Sequence, residues 1–425
     1  MKKGKEEADA SDSLESEAFA RKAVSMKDLA DREARGGGNP PTLHITPGVT
    51  SDVGFPARRA GESNSWVSGW RADAGRRSPK KTTAGRGFQL GDRSRAKNCK
   101  VEQGSSLSCA VGQPLAIAAE GNNLWVAYDA SNTIGIYTYK EEIHQFTSIR
   151  RDNEHRVYVL AHDKKRGRMI SIDEKGGFDS WQVRSYEVAK SFHVGSSAGT
   201  FIKAGRVVDE FMWCGDMLGN LYVYNLNHDY ERSTTSLEEG MKPVVSPRGN
   251  TPAVLCITHD EEHVYVGSYE SVYVFSRDRV RLQKFQAHPR SNINALAVVA
   301  TAGRTTLWSG GDDGVLRRWV VDRMSEGGSV VPSGGALRGH ESKVYTLLAL
   351  APDSGGKDSG LVMVSAGFDG EIIARWVRTG ERVDTKDNAH RGTVRAGCVV
   401  DVPGGFVTAG RDGYLRLWRL VAKRD

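Results

Sequence analysis

Four residue types able to carry chemistry recur together in the C-terminal third of this 425-residue chain. They form three sets: His288, Ser309, Asp313 and Trp319; His340, Ser365, Asp369 and Trp376; His390, Thr408, Asp412 and Trp418. In each set the hydroxyl residue stands four places before the aspartate. Histidine beside aspartate can do acid–base chemistry or bind a metal. The repetition argues for another role. A neutral imidazole can bond a carboxylate and a hydroxyl at once, and an indole N–H can only donate. Such groups need one another when buried, because an unpaired buried polar group costs about 1–3 kcal/mol. The histidines therefore read as struts, neither catalytic nor metal-binding. Asp312-Asp313 is the other candidate, as paired carboxylates, but Asp313 belongs to the repeated turn and Asp312 to a rim. The chain contains no P-loop, HExxH or CxxC pattern. Without a recognisable nucleophile–base set, no enzyme, cofactor or metal is expected.

Short strands must position these residues. Leu307 to Trp319 reads as two strands about an Asp313-Gly314 turn, where glycine accepts the positive φ of a tight hairpin. The pattern returns at Val364 to Gly370 before Trp376, and at Val407 to Gly413 before Trp418. Three copies of one detailed phrase mark an internal repeat. Asp369 to Trp376 is one residue longer than its counterparts, which predicts a bulge.

These motifs resemble the WD-repeat family of β-propellers, the repeats of G-protein β-subunits. The departures are Ala287 and Ala389 in place of the family's glycine before histidine, and the lack of aspartate after each tryptophan. The resemblance implies an all-β fold: a single seven-bladed propeller of four-stranded blades, preceded by a largely disordered N-terminal tail. It implies that the three sets are structural tetrads and that the protein is a non-catalytic scaffold for protein–protein interactions in a multiprotein complex. It also implies that partners bind the top face, at the residue before each tetrad aspartate and at the start of each first strand. Those positions hold Asp312, Phe368 and Arg411, then Asn294, Tyr345 and Arg395, with Lys343 beside Tyr345. Phe368, apolar in a turn, is expected to be exposed.

Residues 1–100 lack strand alternation and are rich in Gly, Ser, Arg and Pro, a composition that buries too little apolar surface to order itself. A short helix fits residues 12–35, with Asp12 and Glu15 as a capping box and Gly36 as its stop. Trp66 and Trp70 flank a Ser/Gly stretch and form a candidate docking motif. Ser78 precedes Pro79 within a basic cluster, which makes it a phosphorylation candidate. Residues 51–100 carry a net charge of +8, residues 1–50 a net −1, and residues 101–425 sum to zero. The tail thus predicts weak, salt-sensitive attraction to acidic partners, and the neutral propeller has no electrostatic case for nucleic acid.

From about residue 101 the texture turns to strand. Blades one to four lack the full tetrad and are expected to rest on apolar packing. Trp125, Trp213, Tyr265 and Trp308 fall at matching places in second strands and read as inter-blade core. Since the chain stops soon after Trp418, the last blade needs an outer strand from elsewhere, and residues 106–111 are placed to supply it. Five scattered cysteines, no secretory signal and no membrane-length apolar run suggest a cytoplasmic protein, with nuclear or cytoskeletal association as variants. Leu-Trp-Ser-Gly-Gly also resembles propellers preceding phosphoinositide phosphatase domains, so the alternative is a regulatory domain of a larger enzyme. A ubiquitin-ligase substrate receptor ranks lower, because Val320, Val377 and Arg419 stand where an acidic or amide residue would follow tryptophan.

Overall fold

The second and third strands of each repeat are apolar on both faces, so each sheet must be covered on both sides. A ring of radially packed sheets satisfies this. The computed structural model describes residues 99–109, 111–152, 155–194, 202–227, 232–236, 253–301, 304–322, 329–353 and 360–422. They form a seven-bladed all-β propeller with antiparallel blades.

The closing strand is β1 (Cys99–Ser108). Blade one holds β2 (Pro114–Glu120), β3 (Asn123–Tyr128), β4 (Thr133–Tyr139) and β5 (Ile143–Arg150). Blade two holds β6 (Val157–Asp163), β7 (Arg168–Asp173), β8 (Gly177–Gln182) and β9 (Val188–His193). Blade three holds β10 (Ile202–Val208), β11 (Phe211–Asp216), β12 (Asn220–Asn225) and β13 (Arg232–Ser236). Blade four holds β14 (Cys256–His259), β15 (His263–Gly267), β16 (Ser271–Ser276) and β17 (Arg281–Gln286). Blade five holds β18 (Ile293–Thr301), β19 (Arg304–Gly311) and β20 (Val315–Asp322), with β21 (Ser329–Pro332) and β22 (Leu337–Arg338) sharing its outer edge. Blade six holds β23 (Val344–Leu350), β24 (Val362–Gly367), β25 (Ile372–Trp376) and β26 (Arg382–Lys386). Blade seven is built from β27 (Val394–Val399), β28 (Gly405–Gly410) and β29 (Tyr414–Ala422), with β1 outermost.

First strands touch one another around the closed circuit β2, β6, β10, β14, β18, β23, β27, so they form the inner wall. The core is divided into seven apolar clusters, each at one seam between adjacent blades. Trp125, Trp213, Tyr265 and Trp308 each lie in such a cluster and are at most 1% exposed. That burial leaves no room for a ligand cage. All five cysteines are buried and none is in a disulfide. Among the described residues no helix is long and apolar enough to cross a membrane.

The outer strand of the last blade begins earlier than residues 106–111. β1 pairs with β29 from Cys99↔Ala422 to Ser108↔Tyr414, with a register shift between Gln103 and Ser106. Its flanks are tied to both neighbours. The Val101 amide donates to Asp384 Oδ2 of blade six (2.7 Å), and the Ile143 amide of blade one donates to Ser105 Oγ (2.9 Å).

Candidate interaction face

Blades five and seven carry complete tetrads. His288 Nδ1 lies 2.9 Å from Asp313 Oδ1, its Nε2 lies 2.9 Å from Ser309 Oγ, and Trp319 Nε1 donates to the same hydroxyl at 3.1 Å. In blade seven the corresponding distances, His390 to Asp412, His390 to Thr408 and Trp418 to Thr408, are 2.9, 2.7 and 2.8 Å. Burial lowers the His390 pKa, so a neutral ring donates Nδ1–H to Asp412 and accepts the Thr408 hydroxyl at Nε2. Burial alone would raise Asp313, but the bonds and charges of His288 and Arg317 outweigh it and hold the carboxyl at about 2. Both nitrogens of each imidazole are thus committed to holding a turn against a strand.

Blade six departs from the sequence reading. His340 reaches Asp369 and Ser365, each at 2.8 Å, but Trp376 is not the fourth member. The β24–β25 ladder is unbroken, so no bulge absorbs the extra residue. Register pairs Arg375 with Met363, where Trp319 pairs with Leu307 and Trp418 with Phe406 in the other two blades. Arg375 therefore takes the tryptophan's place and is 6% exposed. Ser365 Oγ donates to the Ile373 carbonyl instead (3.2 Å), and Trp376, one residue on, sits on the other face of the strand.

Blades two and three are held by more than apolar packing. Trp181 Nε1 donates to Ser171 Oγ at 2.8 Å, reproducing half a tetrad. Arg151 occupies the connection before the first strand, where blades five, six and seven have histidine. It bonds Asp173 Oδ2 (2.6 Å), Asp179 Oδ2 (2.6 Å) and the Gly177 carbonyl (2.9 Å). Asp179 pairs with Ser171 in the ladder, as Arg317 pairs with Ser309, so cation and anion have exchanged places relative to blade five. In blade three a buried carboxylate has no cation partner among the described residues. Asp216 Oδ1 accepts the amides of Leu218 and Asn220 at 2.9 and 2.7 Å. Its Oδ2 accepts Asn220 Nδ2 (2.8 Å) and the Tyr222 hydroxyl (3.0 Å).

Burial pushes the Asp216 pKa up to about 6, against 3.8 for an ordinary aspartate. The folded state therefore holds this proton more tightly than the unfolded chain does. Its contribution to stability is full below about pH 4 and is lost as pH rises through about 6, a loss of about 3 kcal/mol. Chemical denaturation of the natural chain and of Asp216→Asn between pH 4 and 7 should show the natural chain losing ground over that window. A constant difference across it would exclude the shift.

One backbone feature recurs in six blades. The register between first and second strands slips at Leu115, Tyr158, Lys203, Asn294, Tyr345 and Arg395, always the second residue of the inner strand. Such a bulge leaves one residue out of the ladder and re-aims its side chain. In five blades the turn that follows the second strand is pinned beside this bulge. The amides of Asp129, Glu174, Asp312, Phe368 and Arg411 donate to the carbonyls of Gln113, Arg156, Asn292, Lys343 and Thr393 at 2.8–3.0 Å. The inner strands start here, so these residues surround one mouth of the ring.

The structure thus brings Asn294 to Asp312, with Asn294 Nδ2 donating at 2.7 Å and Asn292 Nδ2 at 3.0 Å. Tyr345, Arg395, Arg411 and Lys343 are half-buried at the same mouth. Phe368 corrects the sequence reading: it is 6% exposed, with the Lys343 ammonium 5.8 Å above its ring. The turn folds its phenyl inward because an apolar ring gains more from packing than from water. Sequence reasoning missed Tyr158 and Lys203, which share the bulge position in blades without a readable tetrad. A polar cleft of about 610 Å³ lies between blades one and two, lined by Asp129, Asn132, Arg150, Arg156 and Glu174 among others, and Arg156 sits 5.9 Å over the Tyr158 ring. The helix at 12–35, Trp66, Trp70 and Ser78 lie outside the described residues.

No protein-family model matches this chain, and no curated protein matches it by sequence. Among solved structures it is similar to the WD40 beta propeller domain of Doa1, with a TM-score of 0.56 and 12% identity. That match covers 75% of this chain and 96% of the other. The chain therefore has the WD40 propeller fold.

Proposed function

We propose that this protein is a non-catalytic scaffold that binds partner proteins at the bulged mouth of the ring. The supporting observation is the same bulge in six blades, which sets Tyr158, Lys203, Asn294, Tyr345 and Arg395 around one opening. Tyrosine and arginine dominate binding hot spots, because each presents a large contact area with a polar end. The tetrad imidazoles, the obvious catalytic candidates, are committed at both nitrogens. The rigid ring supplies the preorganisation that keeps association costs low.

The triple replacement Tyr158→Ala, Tyr345→Ala and Arg395→Ala tests this reading. None of the three belongs to a tetrad. Affinity purification of the tagged full chain should recover the principal partner at least about tenfold less well, as loss of central hot spots implies. The melting temperature should stay within about 2 °C, because no core side chain is removed. Undiminished recovery by a folded variant would place binding elsewhere.

A further inference from the structure

The arginine that displaces tryptophan in blade six belongs to a larger group. Arg304, Arg318, Arg338, Arg375, Arg378 and Arg382 gather in the outer seam between blades five and six. A Cβ on Gly339 would lie 2.9 Å from Arg375 Nη2 and 3.0 Å from Arg382 Nη2. A Cβ on Gly380 would lie 3.1 Å from Arg318 Cζ, and Arg375 Nη1 donates to the carbonyl of the same glycine at 3.1 Å. Arg375 Nη2 donates to the Arg338 carbonyl (2.6 Å) and Arg318 Nη1 to the Arg378 carbonyl (3.1 Å). Arg318 also sits over the Trp308 ring at 5.6 Å, and Arg304 Nη2 donates to Ser333 Oγ at 3.0 Å.

Every one of these partners is neutral. Among the described residues no carboxylate forms an ion pair with any of the six, and the one acid in the blade-six turn, Glu381, is exposed and unpaired with them. Arg375 Nε is buried without a hydrogen-bond partner. Burial depresses the pKa of Arg375 and Arg318, and the neighbouring Arg382 and Arg304 depress them further. Like charges brought together and partly desolvated are costly unless an anion joins them.

We propose that this seam docks the chain's own acidic segment, residues 6–17. That segment carries Glu6, Glu7, Asp9, Asp12, Glu15 and Glu17 with no lysine or arginine among them. Carboxylates suit the site because guanidinium forks bind them in a bidentate fashion. The point where the tail joins the ring supports this occupant. β1 begins at Cys99 on the neighbouring blade, and its Val101 amide bonds Asp384, two residues from Arg382 on the same strand. The intervening residues 51–100 carry net charge +8 and are repelled by the seam, so only the distal acidic run is complementary. Roughly 80 residues separate Glu17 from Cys99, and a coil of that length spans about 50 Å on average, ample to reach an adjacent blade. Tethering raises the local concentration of the segment toward the millimolar range for a short span. This surface lies on the rim, apart from the mouth proposed for partners, and does not depend on that reading.

Phenylglyoxal labelling of the full chain, read peptide by peptide by mass spectrometry, tests the contact. The comparison is with a chain carrying E6Q, E7Q, D9N, D12N, E15Q and E17Q, whose substitutions lie outside the ring. Arg391, exposed and on another loop, is the internal reference. At low salt, Arg338, Arg378 and Arg382 should react at least about threefold more slowly in the natural chain, and the difference should vanish near 1 M salt, where screening acts over about 3 Å. Equal rates in the two chains at low salt overturn the proposal. So does protection that survives in the neutralised chain. Protection that appears only when an acidic phosphopeptide is added also overturns it, in favour of a partner supplied in trans.

Discussion

Deleting residues 99–108 should lower the melting temperature by about 10 °C or more and promote self-association. β1 is paired with β29 over nearly its whole length and contributes Cys99 and Val101, each 1% exposed, to the seam between blades six and seven. Loss of those buried side chains and of the cover over Trp418 and Leu420 costs about 5 kcal/mol by apolar area. For a domain of this size each kcal/mol is worth about 2 °C. The bare edge of β29 would then offer unpaired amides and carbonyls to another chain. Val101→Asp separates the two effects. It keeps the strand but places a carboxylate in the core next to Asp384, which already accepts the Val101 amide at 2.7 Å. Thermal melts and size-exclusion profiles of both variants provide the readout. An unchanged melting temperature for the deletion would show that the ring is closed by other contacts.

Arg151→Met should be the most damaging single substitution in blade two. The Arg151–Asp173 pair is buried, with side chains 1% and 0% exposed, and Asp179 is 13% exposed. Removing the guanidinium leaves two carboxylates close together in a dry site. Breaking one side of a buried pair typically costs about 3–5 kcal/mol. Asp173 has a second duty, since its Oδ1 accepts the amides of Lys175 and Gly177 at 2.7 and 2.9 Å and shapes the turn. Asp173→Asn preserves an acceptor there while removing charge. The double variant should therefore regain at least about 1 kcal/mol relative to Arg151→Met alone, a coupling that additive sites do not show. Denaturant unfolding of the two single variants and the double variant measures it. Strict additivity would mean that water, and not Arg151, neutralises this site.

Much of the architecture was legible because WD40-type repeats write their geometry into local spacing. Glycine in a tight turn, a hydroxyl four residues before aspartate and alternating apolar strands are short-range requirements, and short-range requirements survive in a single chain. The first strands of blades five, six and seven begin at Ile293, Val344 and Val394, where the texture of the sequence changes. One local distance recurs in four blades. Ser309 to Trp319 and Thr408 to Trp418 are each ten residues, the number that sets two side chains diagonally on one face of a hairpin. Ten residues from Ser171 is Trp181, and ten from Ser365 is Arg375, so spacing alone would have revealed the partial tetrad of blade two and the substituted one of blade six.

Other features depended on contacts that no spacing encodes. Arg151 is bound to Asp173 and Asp179 across a blade connection, and its role exists only once the fold sets a guanidinium where blade five has an imidazole. Phe368 is a turn residue by sequence and a core residue by packing, because the Lys343 side chain and its own hairpin close over the ring. The six arginines of the outer seam are spread over nearly 80 residues of sequence and become neighbours only when blades five and six are pressed together. Hydrogen-bond geometry repeats with the chain and can be read along it. Charge accumulates through space, and only the closed ring determines which charges meet.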